Sequence, residues 1–135
     1  ANQSVSFQVD AINQISLSGS PSLVTNRATA GRNPTQATAS ASWAVTTNQT
    51  DAKNTGSIGS VMPTGLTLQV NMSAPSGGSS AGAQTLSPTA VHVVTGITKL
   101  AQSGISLSYS LDATPAAGVV SSTSRTVTYT ITGGT

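Results

Sequence analysis

Apolar and polar residues alternate one for one in stretch after stretch of this chain, and no segment carries the three-and-four spacing of an amphipathic helix. In SVSFQVDAI, Val5, Phe7, Val9 and Ala11 share one face, while Ser4, Ser6, Gln8 and Asp10 share the other. GLTLQVNMSA repeats the pattern through Leu66, Leu68, Val70 and Met72. SGISLSYSLDA repeats it through Ile105, Leu107, Tyr109, Leu111 and Ala113, and RTVTYTIT through Val127, Tyr129 and Ile131. Successive side chains of a strand point to opposite sides, so each such stretch calls for a dry surface on one side and water on the other. SWAVTTN (42–48), SIGSVM (57–62) and TAVHVVTG (89–96) add further strands, and Gly, Pro and Asn mark the turns between them. The expected fold is all-β: an Ig-like or jelly-roll-type β-sandwich of about seven to nine antiparallel strands.

At 135 residues the chain is long enough to bury one core without metal or disulfide support. The division it suggests is an N-terminal strand, residues 1–17, followed by a single sandwich domain, residues 18–135. Between the first strand and the next strong one lies an irregular stretch, residues 18–40, with Pro21, Gly31 and Pro34 and room for one short strand near Leu23–Val24. QTDAKNTG (49–56) reads as a turn, and APSGGSSAGA (74–83) as a flexible loop.

Composition excludes several classes of function. Cysteine is absent, so neither a disulfide framework nor a thiolate metal site can form. Charged residues make up 6% of the chain, against roughly 25% in ordinary soluble domains. The cations are Arg27, Arg32, Lys53, Lys99 and Arg125, the anions Asp10, Asp51 and Asp112, and no glutamate occurs. A surplus of two positive charges spread along the chain is not the clustered Lys/Arg surface, interleaved with aromatics, that nucleic acid requires. In place of charge there are 22 serines and 21 threonines, a surface that repels its neighbours weakly and suits association. No apolar run approaches the roughly 20 residues of a membrane-spanning helix. Ala1 in place of an initiator methionine reads as the start of a processed, secreted or surface-displayed product.

No catalytic constellation is legible. His92, the single histidine, sits in AVHVV without a carboxylate, a nucleophile or a second ligand nearby in sequence, and reads as a strand residue on the polar face. The three aspartates fall on a strand, in a loop and at a strand end, with nothing to pair two of them for glycoside hydrolysis or to gather them for calcium. SGGSSAG lacks the lysine of a phosphate-binding loop. The expectation is a non-enzyme without catalytic, cofactor-binding or metal-binding residues. Three Asn-x-Ser/Thr sequons begin at Asn2, Asn48 and Asn71. Asn48 at a strand-to-turn junction and Asn71 on an outward face are the accessible candidates for glycan attachment.

The N-terminal strand poses the functional question. A long alternating edge strand is an association hazard unless it is charged, kinked or covered, and this chain spends almost no charge on protection. Inserted beside a strand of another subunit, the segment would gain a ladder of backbone hydrogen bonds and bury Val5, Phe7, Val9, Ala11 and Ile12. Its four large side chains would contribute about 6–12 kcal/mol before the costs of association. Repeated head to tail, such a contact does not close, and the product is a filament.

Together, the alternating N-terminal strand, the missing cysteines, the hydroxyl-rich β-sandwich and the processed start resemble extracellular pilins that polymerise by donor-strand complementation. The TasA-like biofilm matrix fibre proteins and the archaeal bundling pilins are the nearest parallels. The resemblance implies that the N-terminal strand of one subunit, here Ser4–Ile12, completes the sheet of the next, so that the partners are other copies of the same chain. A cysteine bridge of the chaperone–usher kind is missing, as is the apolar N-terminal helix of type IV pilins. The alternative is an Ig-like adhesin or carbohydrate-binding module of a cell-surface protein, with glycans or cell surfaces as partners. That reading needs exposed aromatics to stack on sugars, whereas Trp43, Tyr109, Tyr129 and Phe7 all occupy alternating positions that suggest burial.

Overall fold

The computed structural model describes residues 1–134. Nine strands form among the described residues: β1 (Asn13–Ser18), β2 (Ala37–Thr47), β3 (Ala52–Ile58), β4 (Leu66–Met72), β5 (Ser79–Ser80), β6 (Gln84–Thr85), β7 (Val91–Ile97), β8 (Leu100–Ala113) and β9 (Val127–Thr132). They build two antiparallel sheets, one in the order β1-β2-β8-β4-β6 and the other in the order β5-β7-β3-β9. The only helical piece among the described residues is a short 3₁₀ turn, Pro115–Ala117. The chain is the expected β-sandwich, its two sheets facing each other across one core.

Alternation builds that core from both sides. The five-stranded sheet contributes Trp43 and Val45 from β2, Leu68, Val70 and Met72 from β4, and Ile105, Leu107 and Tyr109 from β8. The opposing sheet contributes Ala52 and Ile58 from β3, Val93, Val94 and Ile97 from β7, and Tyr129 from β9. The outward positions between them are hydroxyls: Thr38 and Ser40 on β2, and Ser106 and Ser108 on β8, are exposed. At Gly104 the backbone takes a positive φ of 66°. There Trp43 pairs with Ile105 but Val45 pairs with Gln102, so β8 carries an extra residue. This bulge lets one long strand keep its apolar face inward on either side of the insertion.

Several sequence expectations change here. The stretch read as a turn, residues 49–56, supplies most of β3, and the strand expected at 57–62 ends at Ile58. The inward-facing residues of β3 are Ala52, Asn54, Gly56 and Ile58, all fully or nearly fully buried, so its dry face is built from small or polar residues. Gly56 is needed there: a Cβ at this position would lie 3.1 Å from the Tyr129 ring and 3.5 Å from Leu86. The second change is at the N-terminus. Ladder pairing begins only at Asn13, so residues 13–17 of the expected donor strand belong to their own domain, while Ser4–Ile12 lies outside every strand. Leu23–Val24 is likewise outside any strand.

The two lateral sides of the sandwich are finished differently. On the β4/β7 side the chain crosses from one sheet to the other. β5 pairs with β7 and β6 with β4, Leu86 N donates to Leu68 O (2.8 Å), and Ile58 N donates to Ser87 O (3.0 Å). Leu86 is buried beneath this crossing. On the other side the outermost strands, β1 and β9, approach each other, and neither has a second ladder partner among the described residues.

Candidate functional site

The site is built from the N-terminal arm, residues 1–12, and the open side from which it departs. The arm carries large exposed apolar side chains in alternating register. Val5 is 76% exposed, Phe7 93% and Val9 79%; Ile12 is 41% exposed at the root, and Ala11 is also exposed. Upstream of Gln8 the arm makes no hydrogen bond to the domain among the described residues.

The root of the arm is fixed. Asn48, just past the end of β2, accepts a hydrogen bond from Ile12 N through Oδ1 (2.8 Å) and donates through Nδ2 to Asp10 O (2.8 Å), while its own backbone N donates to Ile12 O (3.2 Å). Asn48 thus extends the β1–β2 ladder past its last register pair. Next to it, Asn13 Oδ1 accepts from the buried Thr47 hydroxyl (2.7 Å) and Asn13 Nδ2 donates to Gln49 Oε1 (2.6 Å). Gln49 O accepts in turn from Lys99 N (2.9 Å), and Asp51 N donates to Thr98 Oγ1 (3.0 Å). These bonds knit the β2–β3 and β7–β8 turns into one pole of the sandwich, from which the arm leaves. Nothing in the sequence singled out Asn13 or Asn48 for this duty, since asparagines at strand ends are common and their partners are 34–38 residues away.

The open side has an unpaired length of backbone. β1 is shorter than β2 and pairs with it from Asn13–Thr47 to Ser18–Ser42, then stops. Ala37–Ala41, the half of β2 toward the opposite pole, is paired with β8 on one flank and has no ladder partner on the other among the described residues. Its inward positions are Ala37, Ala39 and Ala41, all half-buried and all small. At the boundary, Leu17 sits on the inward face opposite Trp43 and is still 47% exposed.

The remaining sequence candidates do not gather. His92 is exposed on β7. Asp10 accepts from Gln8 Nε2 (2.7 Å), Asp51 lies 3.4 Å from Lys53, and Asp112 accepts from Gln36 Nε2 (2.9 Å) at the other pole. Among the described residues, no group of three or more His, Cys, Asp or Glu side chains comes together, and no helix is long and apolar enough to cross a membrane. Of the sequon asparagines, Asn71 is exposed on the outer face of β4, whereas the amide of Asn48 is engaged at the root of the arm.

Of the four aromatics, Trp43 is 1% exposed, Tyr109 8% and Tyr129 9%; Phe7 alone departs from the burial that its alternating position suggested. The two tyrosine hydroxyls meet across the core at 2.7 Å. Burial pushes both phenols above their ordinary range. For Tyr129 the bond to Tyr109 adds to the rise, and for Tyr109 the bond to Tyr129 partly opposes it. Asn54, also missed by sequence reasoning, is fully buried, with Nδ2 3.4 Å from Met72 Sδ and Oδ1 unpartnered.

Comparison of the chain with protein-family models, with curated proteins and with solved structures returns no match.

Proposed function

We propose that this protein is a structural subunit of an extracellular filament that polymerises head to tail, each subunit lending its N-terminal arm to the next. It acts by assembly and not by catalysis, and it is secreted. The observation that carries this reading is the arm itself. A segment with Val5, Phe7 and Val9 in strand register stands in solvent, while its root is held by three hydrogen bonds to Asn48. An exposed alternating segment of this kind is costly for a monomer in water, and it gains both a backbone ladder and a dry face from a second sheet. The hydroxyl-rich, charge-poor surface adds little repulsion to such contacts. The resemblance to donor-strand pilins points the same way.

The adhesin or carbohydrate-binding alternative is less well supported, because Trp43, Tyr109 and Tyr129 are buried and leave only Phe7 to stack on a sugar. Electron microscopy of the purified chain beside the variant Val5→Asp/Phe7→Asp/Val9→Asp tests the proposal. The expected result is fibres from the parent, and from the variant a folded monomer with the same unfolding midpoint as the unassembled parent. A parent chain that stays monomeric at every concentration would refute the filament. Fibres from the variant would show that the arm is not the joining element.

A further inference from the structure

We propose that the acceptor for the arm is the unpaired half of β2, Ala37–Ala41, so that the arm of a second copy continues the line of β1 along the same edge. This inference rests on the filament reading and assigns the surface that reading leaves open. Three observations converge on it. The first is position. The arm leaves from the pole that holds Asn13 and Asn48, and the unpaired half of β2 lies toward the opposite pole, where Gln36 meets Asp112. Copies stacked pole to pole therefore bring the arm of one beside the free edge of the other, and the contact repeats without closing.

The second observation is polarity. The arm precedes β1 in the chain and enters in the direction β1 follows, and β1 runs antiparallel to β2. An arm arriving from the neighbouring copy thus meets β2 antiparallel, which is the pairing the rest of the sheet already uses. The nine residues ahead of Asp10 span about 30 Å when extended, while a five-residue edge takes about 17 Å, so enough chain remains to cross between subunits.

The third observation is size. The inward face of the free edge offers Ala37, Ala39 and Ala41, and the arm offers Val5, Phe7 and Val9 at the same two-residue repeat. Large side chains from one strand above small ones on the next fill a layer that neither fills alone. The β9 edge does not have this shape, because its inward residues Val127, Tyr129 and Ile131 are already bulky. The connector between β1 and β2 does not occupy the edge with a ladder either. Its backbone bonds, Thr35 N to Arg27 O and Arg32 N to Thr29 O, run within itself; it packs the half-buried Leu23 on the core, buries the Thr25 hydroxyl, and touches the edge only at its near end, where a Cβ on Gly19 would lie 3.3 Å from that of Ala41.

Because the chain has no cysteine, engineered pairs report cleanly. Thr38→Cys, on the outward face of the free edge, is combined in turn with Ser4→Cys, Ser6→Cys and Gln8→Cys, and the same arm series is combined with Thr130→Cys on β9. All five positions are exposed, so the fold is not the variable. Oxidised samples are run on non-reducing denaturing gels and imaged for fibres. The expected result is a ladder of covalent multimers, lost on reduction, for Thr38→Cys with at least one arm position, and none for Thr130→Cys. Fibres whose ladders appear only with Thr130→Cys, or that give no ladder with either partner, overturn the acceptor and leave the filament standing. A fast-migrating cross-linked monomer, or a parent chain that forms no fibre, overturns both.

Discussion

Phe7 and Tyr129 stand at the centre of the same motif: an aromatic flanked two residues away on each side by an aliphatic, with polar residues between. Val5-Phe7-Val9 and Val127-Tyr129-Ile131 are interchangeable as patterns, yet Phe7 is 93% exposed and Tyr129 9%. The difference lies in what each segment meets. β9 runs beside β3 for six register pairs, Gly56 clears space for the Tyr129 ring, and Tyr109 answers its hydroxyl across the core. The arm meets nothing beyond its root. Alternation therefore specifies that a segment has a dry face, and the neighbouring strand decides whether that face is dry within one molecule or between two.

Aromatic truncation is the sharpest way to break this comparison. Tyr129→Ala removes a buried ring and orphans the Tyr109 hydroxyl, for an expected loss of about 3–5 kcal/mol. Phe7→Ala in the dilute monomer should fall within about 0.5 kcal/mol of the parent. Denaturant unfolding of the two variants reads both values. A Phe7→Ala loss of the same size as that of Tyr129→Ala would mean that the arm packs on its own domain in solution. Gly56→Val tests the same contact from below. It pushes a branched side chain into the 3.1 Å gap under the Tyr129 ring, and overpacking of that kind costs about 1–3 kcal/mol. An unchanged unfolding midpoint would show that the β9 aromatic has room to give.

A milder effect on the β9 side is an alkaline one. Burial raises both phenols above the usual 10.0, so above that pH the unfolded chain releases protons that the folded chain still holds. Stability is then fully present below pH 10 and falls as pH rises beyond it. Tyr129→Phe should cost about 1 kcal/mol at neutral pH, by losing the hydroxyl pair. It should also flatten the alkaline decline, measured as unfolding midpoints between pH 8 and pH 11. An alkaline slope identical in parent and variant would place the titrating groups elsewhere.

The sandwich and most of its core were legible because alternation is written directly in β4, β8 and β9. β3 was not, and the reason is physical: three of its four inward residues are Ala52, Asn54 and Gly56, where Gly56 leaves room for Tyr129 and Asn54 approaches Met72, so the pattern of a buried strand is largely absent from its own letters. The boundary between the arm and β1 was hidden for the opposite reason. Residues 4–12 look more like a strand than 13–18 do, and what separates them is the set of side-chain bonds made by Asn13 and Asn48 across more than thirty residues of sequence. The free edge at Ala37–Ala41 was likewise invisible, because it is a mismatch in length between two paired strands, and length of pairing is a property of the fold.

That mismatch and the asparagine clasp have a mechanical consequence. β1 continues directly into the root of the arm, and Asn48 continues its pairing past Asn13. A load applied to the arm along the strand axis therefore acts on β1 in shear, and the six register pairs with β2 resist it together. The same force applied across the strand would peel those pairs apart one at a time, beginning at the clasp. The anchor is built to hold under tension in the direction in which the arm extends, and to give way when pulled sideways.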